Sequence, residues 1–97
     1  MNYLFTAIEH IRSPALLYFY LSHMILGERT RRKIQALEPQ FTQINFYAID
    51  VEQFPSLAEE YEVKSVPTAV IIKWQGGILE SHQGYQFSLN KAILADI

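Results

Sequence analysis

The side chains that could do chemistry in this sequence are few and widely spaced. The histidines His10, His23 and His82 lack the short spacing of metal ligands, so each is predicted to be a solitary polar residue. Ser22 and Ser65 have no histidine or aspartate partner that the sequence identifies. A phosphate-binding glycine loop, the hydrolase motifs and a convincing pair of carboxylates are also missing. We therefore expect no catalytic residue, no metal and no cofactor.

The chain contains no cysteine among its 97 residues. Thiol–disulfide exchange requires a thiolate, so these residues cannot perform it by themselves. The formal net charge of −2 argues against a general attraction to nucleic acid. The apolar stretch over residues 14–27 is too short to span a membrane, and Ser22 and His23 interrupt it. No signal peptide is recognisable, so we expect a cytoplasmic protein without nucleic-acid or membrane partners.

The most informative stretch begins at Val66-Pro67-Thr68 and leads into an apolar, β-branched run over residues 69–74. Such a run is typical of a buried strand. The turn signal Gln75-Gly76-Gly77 separates it from a second strand over residues 78–82, so the pattern predicts a β-hairpin. A last helix is predicted over residues 89–96.

Two β–α units are predicted upstream of this hairpin. Residues 15–21 are apolar at every position, as in a strand that is covered on both faces. A helix over residues 28–37 follows, and it directs Ile34 and Leu37 to the core with Thr30 and Lys33 on the same side. The remaining predicted elements are a short edge strand over 1–4, a helix over 6–11, a strand over 43–49 and a helix within 50–61.

The predicted strand over residues 43–49 carries apolar side chains on both faces. Ile44, Phe46 and Ala48 alternate with Tyr47 and Ile49, so each face of the sheet receives part of the core. The helix that follows is predicted to direct its apolar side chains inward and its glutamates outward. The inward residues are Leu57, Ala58 and Tyr61, and the outward ones are Glu52, Glu59 and Glu60.

This order of elements resembles the thioredoxin fold. Val66-Pro67-Thr68 is similar to that family's cis-proline motif, and Gly84 lies where the family has a glycine after its last strand. The resemblance covers nearly the whole chain and implies a single thioredoxin-like domain over residues 1–97. The implied fold is a three-layer α/β/α sandwich with a mixed four- to five-stranded sheet and a C-terminal β-hairpin plus helix. It also implies a cis peptide bond between Val66 and Pro67.

The residues that perform the family's chemistry are replaced together. The Cys-x-x-Cys tetrad falls on Met24-Ile25-Leu26-Gly27, the family's buried aspartate on Tyr18, and its partner lysine on Phe46. The resemblance implies a natural, divergent member that has lost its redox function. A buried ion pair is costly to desolvate, and it has no use where the thiols are absent. The alternative is that Tyr18 and Phe46 are ordinary core residues of another α/β fold.

The resemblance implies a redox-inactive protein-binding module with an adaptor, assembly or chaperone-like role. Its partner would be another protein or a second copy of the chain, held by an apolar surface around the proline and the former tetrad. The predicted binding residues are His23, Met24, Ile25, Leu26, Gly27, Val66, Pro67 and Tyr85. The simpler alternatives are that Pro67 only stabilises a turn and that Ile25 and Leu26 fold inward.

Two further hypotheses remain open. Related folds bind glutathione against the cis-proline, so the chain could be a glutathione-binding or glutathione-dependent enzyme without its own thiol. Tyr20 or Ser22 would then donate a hydrogen bond to the bound thiolate. The second concerns the basic cluster within residues 29–33, which is predicted to be a solvated helix face. Contact with a phosphate or an acidic partner is its alternative.

Overall fold

The computed structural model describes residues 2–3, 11–22, 28–73 and 77–83. The strands are β1 (Asn2–Tyr3), β2 (Ala15–Tyr20), β3 (Asn45–Asp50), β4 (Thr68–Ile72) and β5 (Ile78–Gln83). The α-helices are α1 (Glu28–Leu37) and α2 (Pro55–Glu60), and a 3-10 turn over Glu38–Gln40 follows α1. The predicted hairpin is present as β4 and β5, which pair antiparallel.

The strands form one five-stranded mixed sheet with the order β1-β3-β2-β4-β5. The central strand β2 runs parallel to β3 and antiparallel to β4. The short strand β1 pairs parallel with β3, as predicted for a short strand at the sheet edge. The first five residues of β2 are buried, which confirms that this strand is covered on both faces.

The core has two halves, one on each face of the sheet. Phe46 and Ala48 of β3 pack in the same cluster as Ile34 and Leu37 of α1. Tyr47 and Ile49 point to the opposite face and pack in a second cluster with Leu57 and Ala58 of α2. The alternation predicted for β3 is therefore confirmed, and the described helices cover both faces of the sheet.

The prediction for α1 is correct in its bounds and wrong for one side chain. Thr30, Ile34 and Leu37 are buried at the spacing of a helical stripe, but Lys33 is exposed. Lys33 lies about 100° around the helix from Ile34, at the border of the stripe, where its strongly hydrated ammonium group stays in water.

Several strand boundaries differ from the predictions. The strand expected over 43–49 begins at Asn45, because Gln43 and Ile44 precede the ladder, and it continues to Asp50. The first hairpin strand runs over Thr68–Ile72 rather than 69–74, and the second extends to Gln83. Ile11, the predicted last residue of a helix, is not helical. The rest of that helix, most of the hairpin turn, Gly84 and the last helix fall outside the described residues.

Hydrogen bonds connect the start of β3 to the segment that leads into β2. The Asn45 backbone N–H donates to the Pro14 carbonyl at 3.0 Å, and the Asn45 side-chain amide donates to the Arg12 carbonyl at 3.1 Å. The Arg12 N–H in turn donates to the Tyr47 hydroxyl at 3.2 Å. The Ser13–Pro14 peptide bond is cis, which the sequence did not predict. These contacts align the starts of the two central strands.

The helix α2 ends in a Schellman motif that has glutamate where glycine is preferred. The Val63 N–H donates to the Ala58 carbonyl at 2.8 Å, and the Glu62 N–H donates to the Glu59 carbonyl at 3.1 Å. Glu62 adopts φ 56°, in the left-handed region where a side chain is sterically disfavoured. The backbone at Glu62 is therefore strained in a way that glycine would relieve.

We expect Glu62→Gly to stabilise the fold by about 0.5–1 kcal/mol. Relief of the left-handed strain contributes about 1–2 kcal/mol, and the extra flexibility of glycine in the unfolded chain offsets about half of it. Urea unfolding monitored by circular dichroism measures the change. The matched control is Glu59→Gly in the same helix, which should destabilise by about 1 kcal/mol. A Glu62→Gly variant no more stable than the parent would contradict the strain.

Candidate functional site

The predicted binding surface is described in part. Val66 and Pro67 lie within the described residues, whereas His23, Met24, Ile25, Leu26, Gly27 and Tyr85 lie outside them. The Val66–Pro67 peptide bond is cis, the geometry that the resemblance implies. Pro67 is buried, and Val66 is half-buried and packs against the core cluster on the α2 side.

The position of Pro67 follows from the register of the sheet. Thr68, the first residue of β4, pairs with Phe19 near the carboxyl end of β2. Thr68 is buried, and its hydroxyl donates to the Ser65 carbonyl, which closes the turn that leads into the strand. The topology therefore brings Val66 and Pro67 to the carboxyl end of β2, after which the sequence continues to residues 23–27.

The carboxyl ends of β2 and β3 are joined at the same place. The Val51 N–H donates to the Tyr20 carbonyl at 3.0 Å. Buried Asp50 caps the turn that follows, because its Oδ1 accepts from the Glu52 N–H at 2.9 Å and its carbonyl accepts from the Phe54 N–H at 2.9 Å. These bonds form an Asx turn that fixes the loop between β3 and α2.

Two aromatic side chains occupy interior positions of the sheet. Tyr18 and Phe46 are each 1% exposed and belong to one core cluster. Tyr18 has Ala48 and Ala69 as its cross-strand neighbours, so a large ring lies between two small side chains. The Tyr18 ring also stacks on Tyr20 with 5.8 Å between centroids. The places expected for an aspartate and a lysine are thus filled by apolar packing.

A groove beside α2 was not foreseen from the sequence. It has a volume of about 460 Å³. Its lining combines apolar and charged side chains: Val51, Pro55, Ala58, Glu59, Glu62, Val63 and Lys64. Its residues come from the turn after β3, from α2 and from the segment before Val66. The helical period of α2 identified Ala58 as inward, but it could not show that the loops on either side leave a depression.

Tyr61 lies between the core and the acidic end of α2. Its ring packs against Phe19 with 6.2 Å between centroids. Burial, and next the charge of Glu60, raise the pKa of the Tyr61 phenol above its usual value of 10.0. The folded chain therefore favours the protonated phenol.

We expect the stability of the fold to decline at alkaline pH partly through Tyr61. The stabilising contribution is fully present below the phenol's usual pKa and is lost as pH rises through the raised pKa. Thermal melts from neutral to strongly alkaline pH measure the decline, and Tyr61→Phe should make it shallower. An equal decline in the two proteins would show that other groups are responsible.

Two negative findings apply to the described part of the chain. None of its helices is long and apolar enough to cross a membrane. No three or more of its histidine, aspartate and glutamate side chains are grouped so as to hold a metal ion.

The strand order, the helices on both faces and the cis-proline before β4 define a thioredoxin-like fold. The chain has a thioredoxin-like fold, and its sequence lacks the Cys-x-x-Cys motif. No protein-family model matches the sequence. Thioredoxin H2 of Arabidopsis thaliana is 35% identical over 40 residues, which is 41% of this chain and 30% of that protein. The match thus spans less than a third of the relative's length.

Several solved thioredoxins share this fold over most of the chain. The Saccharomyces cerevisiae mitochondrial thioredoxin 3 is 23% identical, with a TM-score of 0.68 over 84% of this chain and 73% of that one. The Fasciola hepatica thioredoxin is 24% identical, with a TM-score of 0.67 over 84% and 74%. The Trichomonas vaginalis thioredoxin is 21% identical, with a TM-score of 0.71 over 84% and 77%. At these identities the likeness establishes the fold.

Proposed function

We propose that this chain is a redox-inactive, cytoplasmic protein-binding module. Its partner is an extended segment of another protein or of a second copy. The binding surface is formed by Val66, Pro67 and Tyr85 together with residues 23–27, the former Cys-x-x-Cys loop. The role is that of an adaptor, an assembly factor or a chaperone-like protein.

The observation that carries this proposal is the apolar core at Tyr18 and Phe46. Tyr18 and Phe46 are buried where a redox-active relative would keep an ion pair, and the sequence has no cysteine. Both the thiols and the charges that would assist their chemistry are replaced. A fold that is retained without these chemical groups supports a role in binding another protein.

The geometry around Val66 supports binding of an extended segment. Val66 is half-buried at the end of the sheet, with Pro67 buried behind it. A segment lying there would pair with backbone groups before β4 and place apolar side chains against Val66, which is the β-augmentation mode of peptide recognition.

We expect the chain to show no disulfide reductase activity. In an insulin-reduction assay with dithiothreitol, turbidity should develop at the rate of dithiothreitol alone, because no thiolate is available for exchange. Reduction above that background would contradict the redox-inactive part of the proposal.

Peptide selection followed by mapping on the protein tests the binding part. Peptides displayed on phage are selected on the immobilised chain, and the enriched peptides are titrated into 15N-labelled protein. We expect the amide shifts to concentrate at residues 20–27, at Ser65, Val66 and Thr68, and at Tyr85. Val66→Asp should weaken binding by at least about tenfold, because it places a charge in an apolar contact.

The matched control is Ile78→Asp. Ile78 is 52% exposed and begins β5 at the opposite end of the hairpin from Thr68. Binding should survive this substitution. Shifts that map elsewhere, or equal binding by the Val66→Asp and parent proteins, would contradict the proposed surface. Glutathione is titrated in parallel, and shifts at the same residues with reduced glutathione alone would favour the glutathione-binding alternative.

A further inference from the structure

The helix α1 carries a cluster of exposed cations whose positions destabilise the helix. This cationic face is formed by Arg29, Arg32 and Lys33, which are all exposed. Their spacing of three and four residues places them side by side, where like charges repel. Arg29 also lies in the first turn of α1, where the helix dipole disfavours a cation, and the last turn contains no basic residue.

The helix α2 carries acidic side chains at its carboxyl end, where they are also unfavourable. Glu59 and Glu60 are exposed in its last turn, which contains no basic residue, and Glu62 lies two residues beyond the helix end. The carboxyl end of a helix carries negative partial charge, so it disfavours these carboxylates. Glu62 additionally occupies a left-handed position where glycine is preferred.

The charges of the two helices are complementary in sign. α1 packs on one face of the sheet and α2 on the other, so the molecule presents positive charge on one side and negative charge on the opposite side. Charges that destabilise their own helices are typical of functional surfaces, because function can be retained at a cost in stability. The net charge of −2 is too small to prevent association between copies.

The acidic side also has a shape that can receive a cationic side chain. The groove beside α2 has an apolar floor that includes Val51, Ala58 and Val63, and Glu59 and Glu62 line it as well. An arginine side chain has an apolar stem and a charged planar end, so it can bury the first and pair the second. Lys64 also lines the groove and weakens its attraction for cations.

We propose that the cationic face of α1 in one copy docks into the groove beside α2 in a second copy. The contact joins different surfaces of the two copies, so it is heterologous and leaves a free groove and a free cationic face at the ends. Association therefore continues into chains or closes into a ring. This interface goes beyond the proposed function, because it does not involve Val66, Pro67 or residues 23–27.

Sedimentation velocity and light scattering across a concentration series test the proposal. In about 0.01 M salt, where the Debye length is about 30 Å, we expect the weight-average mass to rise at least about twofold above the monomer mass of 11.3 kDa. In about 1 M salt, where that length is about 3 Å, the mass should return to the monomer value. Protein concentrations up to about 1 mM cover weak association.

Charge reversal identifies the surfaces. The variants Arg29→Glu/Arg32→Glu and Glu59→Lys/Glu62→Lys should each remain monomeric alone, and an equimolar mixture should associate again. Lys73→Glu changes one exposed charge on β4's side of the hairpin turn and should leave association intact. Lys64→Gln should strengthen it. The amide spectra of all variants establish that they are folded.

The outcomes separate this interface from the surface of the proposed function. A monomer at all concentrations in low salt would overturn the proposal. Association that persists in high salt and in both charge-reversal variants would also overturn it. If Val66→Asp then abolished that association, the contact would be assigned to the Val66 and Pro67 surface. Recovery of association in the mixed variants supports the heterologous contact.

Discussion

Tyr18→Asp should destabilise the fold by at least about 4 kcal/mol, because it removes a buried aromatic ring and places a carboxyl group in an apolar interior. Tyr18 is 1% exposed and lies between Ala48 and Ala69, whose small side chains leave the space of the ring unfilled. A domain of this size is stable by about 5–15 kcal/mol, so the variant should melt roughly 20 °C lower or be largely unfolded at 37 °C.

The control for this substitution is Tyr18→Phe, which keeps the ring and its packing. Its loss should be limited to about 1 kcal/mol, the typical contribution of a hydroxyl group. Thermal and urea unfolding of the three proteins measure both effects. A Tyr18→Asp variant as stable as Tyr18→Phe would show that the site still accommodates a carboxylate, as in a redox-active relative, and would remove the main support for the redox-inactive interior.

The sequence predicts the architecture well where periodicity is strong. The unbroken apolar run of β2 identified a strand covered on both faces, and the alternation in β3 assigned its side chains to the correct halves of the core. Thr30, Ile34 and Leu37 identified the buried stripe of α1. In each case burial follows from the geometry of a single element, so local pattern is sufficient.

Features that depend on the pairing of distant residues were not predictable in this way. The placement of Tyr18 between two alanines depends on the register of three strands, which the sequence of any one strand does not contain. The Asn45 bonds to Arg12 and Pro14 join residues more than 30 positions apart. The Asx turn at Asp50 and the left-handed backbone at Glu62 depend on how α2 is held by its surroundings.

The candidate site shows the same division. Val66 and Pro67 were identified from a short motif, and the structure places them at the end of the sheet that leads to residues 23–27. The groove beside α2 was not predicted, because its lining comes from three segments that only the fold brings together. Glu59 and Glu60 were predicted to point outward, and only the fold places α2 on the face of the sheet opposite the cations of α1.

Phe46→Lys should destabilise the fold by about as much as Tyr18→Asp. Phe46 is 1% exposed in β3, and an ammonium group there would lose its hydration without a partner. The control Phe46→Leu keeps an apolar side chain and should cost about 1–1.5 kcal/mol. If Phe46→Lys unfolds completely, a stabilising osmolyte such as trimethylamine N-oxide restores a measurable transition.

The double variant Tyr18→Asp/Phe46→Lys then tests why the ion pair was lost. Phe46 pairs in register with Leu16, two residues before Tyr18 on the neighbouring strand, and both aromatics belong to one cluster. Opposite charges at these positions attract, so the double variant should be less destabilised than the sum of the single losses by about 1–3 kcal/mol. It should remain less stable than the parent, because the attraction of a buried pair does not restore its full desolvation cost. Additive losses would show that the two positions are not coupled. A double variant as stable as the parent would mean that packing did not drive the replacement, and loss of the thiols would then be its only remaining cause.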